Sequence, residues 1–382
     1  MKRILITCIV IYVSGILSAQ KFDNSIKLIQ FKDGIHHWNL EHPIRNYPRL
    51  DRTEVEAIAD NFLAWQNPDG GWPKNIDWLA KLKVDSVRQA LVKKYRESTL
   101  DNRNIYPQIT YLCEAYARTE NEKYRESAEK GLRYILSTQN KISGGWRGWD
   151  VDAITFNDEI MTGVMSLFLE IKEKQKIYSW VKEPLYTDIC KSLEKAIDVT
   201  LKCQIVVNGE KTAWCQQHSH KTLAPVQART YELPAITADE SSDVLIFLME
   251  IKNPSPEIIT AVNAGVKWLE KSKIQGIKLN KINLPKDKII NKEYPYDLVA
   301  VKDSTAKPLW ARYYEISTNE PFMCTRTGQK VYKLADVDPE RRTGYEWYGT
   351  WPENVFRKYA EWKMRKDVMS AILKQESKHL SS

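Results

Sequence analysis

Apolar residues recur along the chain at helical intervals. Between Thr53 and Ala64 they fall at Val55, Ile58, Ala59, Phe62 and Leu63, one face of a 3.6-residue period. The same spacing predicts helices over Ile109–Arg118, Tyr124–Gln139, Ile160–Lys172, Leu185–Gln204, Ser242–Ile251 and Ile258–Glu270. Asp51 and Thr53 are residue types that cap a helix start, because a short side-chain oxygen takes one of the free backbone N–H groups. Alternating apolar and polar runs, the mark of a half-buried strand, are scarce, and Val206-Val207-Asn208-Gly209 hints at a turn or short hairpin. From Asn253 to Ala306 the chain is rich in Lys, Pro and Asn around one helix. From Pro308 to Phe356 it is aromatic and Arg-rich, as expected of loops over a site. A charged helix follows, from Arg357 to the end. With no clean break in composition, the expectation is one mainly helical domain over residues 20–382.

A weak repeat runs through this pattern. A helix, Gln66-Asn67 and Gly70-Gly71-Trp72 recur as a helix, Gln139-Asn140 and Gly144-Gly145-Trp146. A degraded third copy is Gln204, Asn208-Gly209 and Trp214. Glycine permits the turn that ends the helix, and the Trp packs back on its neighbours. Such Gln…Gly-x-Trp turns resemble those in the helical toroids of terpene cyclases and prenyltransferases. The resemblance implies an all-α fold, an α/α toroid: an incomplete barrel of helical hairpins with long aromatic and Arg-rich loops.

The start of the chain reads differently. Lys2 and Arg3 precede an apolar run from Ile4 to Leu17, and Leu17-Ser18-Ala19 has the small-residue pattern of a cleavage site. Residues 1–19 are therefore expected to be a signal peptide, too short to span a membrane comfortably. The expectation is a secreted or periplasmic monomer without membrane insertion. Cys113, Cys190, Cys203, Cys215 and Cys324 remain, an odd and scattered set that suggests buried thiols rather than a disulfide framework or zinc site. A formal net charge of +8 suits a polyanionic partner. Lys and Arg are spread rather than blocked, so nucleic acid is not indicated. The 13 Trp and 19 Tyr supply faces on which sugar rings stack, and equally the bulk of a helix-packed core.

Candidate chemistry gathers beside predicted helix starts. Ser98-Thr99-Leu100-Asp101-Asn102 and Ile154-Thr155-Phe156-Asn157-Asp158-Glu159 offer hard oxygen ligands for calcium, and the same residues also serve as helix caps. Ala228-Arg229-Thr230-Tyr231-Glu232 has a relative in Ala311-Arg312-Tyr313-Tyr314-Glu315, and Arg326 and Arg341-Arg342 follow. Arg three residues before Glu makes an ion pair, yet bidentate Arg is also the natural receptor for uronic acid carboxylates. His218 and His220 flank Ser219 in a polar loop without a metal pattern. No phosphate loop and no Gly-x-Ser-x-Gly elbow occurs.

On these segments the chain resembles family 10 of the pectate lyases, the helical-toroid pectic acid lyases, from about Asn61 to Asn354. The anchors are Gly70-Gly71-Trp72-Pro73-Lys74-Asn75, the Asp101, Asp158, Arg229 and Arg312 segments, and Glu340-Arg341-Arg342-Thr343-Gly344-Tyr345-Glu346-Trp347-Tyr348-Gly349. The resemblance implies cleavage of polygalacturonate by calcium-assisted β-elimination, giving 4,5-unsaturated oligogalacturonides. Asp101, Asn102 and Asp158 would hold calcium, and Arg229 would be the base. Arg312 and Arg326, with Lys74 and Trp72, would bind substrate. Arginine normally stays protonated, so a cationic, desolvated setting is expected to lower its pKa. The chain departs from the family at Arg103, Ala153, Ser219 and Thr327. Two other readings fit the same residues: a toroidal glycoside hydrolase acting on unsaturated uronides, and a non-catalytic pectin-binding protein.

Overall fold

The computed structural model describes residues 25–41, 46–91, 96–289 and 294–380; the expected signal peptide lies outside them. Local rules account for the helices. In α5 (Glu122–Thr138), Asn121 caps the start by accepting from the Lys123 N–H, and Tyr124, Ala128, Leu132 and Ile135 form the buried stripe. The preceding α4 (Tyr106–Thr119) ends at Glu120, which turns the chain back in the left-handed region at φ 56°. Earlier come α1 (Lys32–Glu41), α2 (Val55–Trp65) and α3 (Val84–Ala90). Later come α6 (Ile160–Lys172), α7 (Leu185–Lys202), α8 (Ala238–Glu250), α9 (Pro256–Lys271), the short α10 (Pro339–Gly344) and α11 (Pro352–Leu380).

Helices α4 with α5, α6 with α7, and α8 with α9 pack as successive hairpins. The first members, α4, α6 and α8, neighbour one another, and so do α5, α7 and α9. The sequence matches this layering. Helix α6 is apolar almost all round and buried accordingly, whereas α5 and α7 carry one apolar stripe and a charged outer face. One hydrophobic cluster runs through the helices, and a smaller one with Tyr313, Phe322 and Trp347 lies towards the C-terminal part.

The repeat seen in the sequence is a fastening device. Gln66 donates from Nε2 to the Gly70 carbonyl in its own loop and to the Ser127 carbonyl on α5. Gln139 does the same to Gly144 and to Ser192 on α7, and Gln204 to Thr212 and to Ala261 on α9. Each loop then returns a Trp to the helix it left. The indole N–H groups of Trp72, Trp146 and Trp214 donate to Phe62, Ile135 and Thr200 at 2.7–2.9 Å. A fourth copy, unrecognised in the sequence, is Trp310 donating to Leu269 at 2.8 Å. Gly70 is obligatory here: it sits at φ +91°, and a Cβ would come within 2.4 Å of the Lys130 carbonyl oxygen.

The all-α toroid expected from the sequence is corrected by the strands. The described residues hold five antiparallel sheets, so helix and strand are mixed. Strands β1 (Ile154–Thr155) and β4 (Gln217–His218) pair, as do β2 (Val206–Val207) and β3 (Glu210–Lys211), the hairpin hinted at by Asn208-Gly209. A four-stranded sheet runs β11 (Lys330–Val331), β10 (Pro321–Cys324), β9 (Tyr313–Tyr314), β5 (Ile236–Thr237). Strands β8 (Trp310–Ala311) and β12 (Tyr348–Gly349) pair, and β6 (Ile277–Asn283) and β7 (Tyr296–Lys302) form a long hairpin. Most strands are two residues long, too short to alternate visibly; their ladders satisfy the backbone of loops that fold inward. No described helix is long and apolar enough to cross a membrane. Among the described residues the five cysteines are free thiols, four of them buried.

The third fastening is incomplete. Ser127 and Ser192 donate their hydroxyls to Gln66 and Gln139 at 2.8 Å, but the equivalent residue on α9 is Ala261, and the buried Gln204 Oε1 has no partner. Ala261→Ser is therefore expected to stabilise the protein by about 1 kcal/mol. The thermal unfolding midpoint should rise, and the gain should vanish in a Gln204→Leu background.

Candidate active site

The acidic residues are placed by one repeated hydrogen bond. The backbone N–H of Thr99 donates to the carbonyl of Trp72, Thr155 to Trp146 and Thr237 to Trp214, at 3.2, 2.9 and 2.8 Å. Two and three residues after each Thr stand Asp101-Asn102, Asn157-Asp158 and Asp239-Glu240. The backbone leaving the first two is strained: Asn102, Arg103 and Ile105 have φ of 57°, 53° and 76°, and Asp158 and Glu159 have 53° and 55°. Non-glycine residues avoid this region, above all β-branched ones such as Ile, and such strain gathers at functional sites. Arg103 ties the two turns together by donating from Nε to Glu159 at 2.7 Å.

Asp101 forms a buried ion pair with Lys74, whose ammonium lies 5.4 Å from the Trp149 ring centre. Asn102 donates to Asn75 at 2.7 Å, and Asn157 to Asp158 at 3.1 Å. Burial, then the charges of Asp101 and Asp33 of α1, push the Asp158 carboxyl up to about 7 against the pull of Arg229 and Arg312. Arg312 holds Glu240 at 2.6 Å, Asp239 at 3.2 Å and Asn157 at 3.2 Å, and lies over the Tyr345 ring. Burial alone would lower its pKa, but Glu240, Tyr345 and Asp239 outweigh it and keep the guanidinium charged. Burial chiefly raises Asp239 to about 7, with Arg312 opposing.

Three guanidinium groups surround one aromatic ring. Arg229, Arg326 and Arg341 lie 5.1, 5.5 and 5.2 Å from the centre of Tyr231. Arg229 is bonded to the buried Glu232 through its side chain and, at 3.2 Å, through its backbone N–H. Its buried Nε has no hydrogen-bond partner, and Asp150 Oδ2 stands 3.8 Å away. Burial works to lower the Arg229 pKa, but Glu232 prevails and holds it well above the ordinary arginine value. This corrects the expectation of a lowered pKa: the nearest charge is an anion.

Of the residues singled out in the sequence, Lys74, Asp101, Asn102, Asp158, Arg229 and Arg312 come together, and Arg326 joins them through Tyr231. Trp72 does not. It is 0% exposed with its indole N–H taken by Phe62, so it has no face for a sugar, and its role is structural. His218 is also structural, fully buried between the Cys215 N–H and the Leu223 carbonyl. Arg341, named in the sequence with Arg326, joins the site at Tyr231, whereas Asp239, Glu240 and Trp149 were missed as site residues. Asp239 and Glu240 were readable as the third copy of a Thr-x-acid pattern, Thr237-Ala238-Asp239-Glu240; Trp149 carried no such signal.

The sequence model of the pectic acid lyase family matches residues 66–356. A family 10 polysaccharide lyase from Cellvibrio cellulosa has a similar structure, with 25% identity and a TM-score of 0.67 over 89% of this chain and 99% of that one. A mutant of that enzyme in complex with trigalacturonic acid matches equally, over 88% and 99%. No curated protein matches. The family match and the structural likeness define a polysaccharide lyase. The chain belongs to the pectic acid lyase family.

The two arginines expected to bind substrate differ in setting. The Arg312 side chain is 11% exposed and balances two buried carboxylates, whereas that of Arg326 is 57% exposed. Arg312→Ala should cost about 3–5 kcal/mol by stranding Asp239 and Glu240. Arg326→Ala should stay within about 1 kcal/mol of wild type. Denaturant unfolding of both variants measures the contrast.

Proposed function

We propose that the enzyme cleaves polygalacturonate by β-elimination, with calcium as cofactor and Arg229 as the base. The observation that supports this best is the shared field at Asp158, whose carboxyl is raised by Asp101 and Asp33 and pulled down by Arg229 and Arg312. A uronate polymer calls for both kinds of group: hard oxygens for a cation it shares, and guanidinium groups for its carboxylates. The C. cellulosa mutant bound to trigalacturonic acid adds support for a pectic substrate.

The donor set fits calcium. Asp101 and Asp158 offer carboxylate oxygens and Asn102 an amide oxygen, and a cation relieves the repulsion felt at Asp158. Among the described residues no group of three or more His, Cys, Asp or Glu side chains is placed to hold a metal. The remaining ligands therefore fall to amide oxygens, water and substrate. Calcium there would stabilise the enolate-like charge that develops on the uronate as its C5 proton leaves.

In its neutral form Arg229 takes that proton and later returns it to water; the electron pair forms the C4–C5 double bond and expels the C4 oxygen, which is protonated from water. Arg312 holds Asn157 and the Asp239–Glu240 pair in place, while Arg326 and Arg341 attract the chain's carboxylates. The Glu232 pairing favours one competing reading, in which Arg229 stays charged and only stabilises the developing anion. An exported protein, with residues 1–19 as leader, suits a polymeric substrate.

On polygalacturonate, absorbance of the conjugated product should appear with calcium and vanish with a chelator; activity surviving thorough chelation removes the calcium role. Arg229→Ala should lower the rate roughly 10²-fold or more while oligogalacturonate binding persists. Because Glu232 raises the Arg229 pKa, Glu232→Gln should increase the neutral fraction at any alkaline pH and move the rising pH–rate limb to lower pH. An unmoved limb in a folded Glu232→Gln protein identifies Arg229 as a fixed cation instead.

A further inference from the structure

Beside the site lies a cavity of about 470 Å³, walled by Ser98–Leu100, by Tyr134 and Thr138 of α5, and by Arg147–Trp149. Its volume is in the range of small-molecule sites, roughly 300–1,000 Å³. Two of its walls are continuous with the candidate active site. Leu100 leads directly to Asp101, and Trp149 stands between the cavity and Lys74, which pairs with Asp101. The next residue, Asp150, is the one 3.8 Å from the Arg229 Nε. A chain lying across Asp101 and Arg229 has this cavity as its neighbour.

The lining has the chemistry of a uronic acid receptor. Tyr134 and Trp149 supply aromatic surface for a sugar ring, and the Tyr134 hydroxyl is fixed by donating to the Ser98 carbonyl at 2.9 Å. Arg147 supplies the charge. Its Nε and one terminal nitrogen donate to the Gly148 and Trp149 carbonyls of its own loop, at 3.0 and 3.3 Å, which orients the guanidinium. Its ion pair with Asp152 is long, 3.9 Å, between side chains 52% and 72% exposed, so a ligand carboxylate displaces it at little cost. Glu97 is the acid in the lining, and it is exposed. Resting on the pectate reading above, we propose that this cavity is a flanking subsite that binds a galacturonate residue outside the bond being cut, with Arg147 holding its carboxylate and Trp149 and Tyr134 its ring.

The subsite makes affinity depend on chain length. In calcium-free buffer, titration calorimetry with trigalacturonate and hexagalacturonate should give tighter binding of the longer oligomer by wild type. Arg147→Ala should weaken hexagalacturonate binding about tenfold, equivalent to 1.4 kcal/mol, and affect the trimer less. Arg147→Lys should recover part of the loss, since it keeps the charge without the planar fork. Turnover of polygalacturonate by wild type is followed in parallel to separate the two claims. If wild type cleaves the polymer but the length preference is the same in Arg147→Ala, the subsite is overturned and the pectate reading stands. If wild type neither cleaves nor binds any oligomer, both are overturned.

Discussion

A buried indole N–H has to find an acceptor, and in this protein that requirement sets the position of nearly everything else. Trp72, Trp146, Trp214 and Trp310 each give theirs to a carbonyl on the helix just completed. The first three then accept from a Thr N–H at the start of the next inward turn. One residue thus fixes where a helix ends and where an acidic turn begins. Glutamine adds the lateral tie to the following hairpin. The carboxylates are held by backbone geometry rather than by one another, which lets like charges stand close without a counter-ion for each.

That arrangement makes the site charged and strained. Five non-glycine residues in the two acidic turns have positive φ, and Asp158 and Asp239 are raised by burial and neighbouring charge. On the opposite side Glu232 and Glu240 hold Arg229 and Arg312 as cations. Acidic and guanidinium groups therefore share one field around Asp158. The proposed uronate substrate and its divalent cation would be complementary to both.

Much of this was legible in the sequence. The helix periodicity located seven helices, and the Gln…Gly-x-Trp repeat pointed to the fastening that the structure contains. Five of the eight chosen site residues, Lys74, Asp101, Asn102, Asp158 and Arg312, lie just after a repeat Trp or just after the Thr that binds one, which helps bring them to one place. What stayed hidden has physical causes. Two-residue strands carry no period. Trp310 is separated from its helix by the β6–β7 hairpin, so no short Gln…Gly-x-Trp turn marks it. Whether a Trp is buried, like Trp72, or faces a cavity, like Trp149, depends on tertiary packing that spacing does not encode. Arg229 beside Glu232 was visible as a pair, but the sign of its pKa shift required knowing that Glu232 is buried.

The fourth repeat also shows how such a frame accommodates a long excursion of the chain. Between the end of α9 and Trp310 the chain leaves the frame to build the β6–β7 hairpin, then returns through reciprocal backbone bonds between Ile274 and Leu309 at 2.8 and 2.9 Å. The Trp310–Leu269 bond is intact despite the detour. Because lengthening a loop adds little closure entropy once its base is clamped, the connection tolerates new material. Leu279 and Leu298 pack against the smaller core, and Asp297 pairs with Arg342. A fold fastened locally, turn by turn, can be enlarged at one joint without being redesigned at the others.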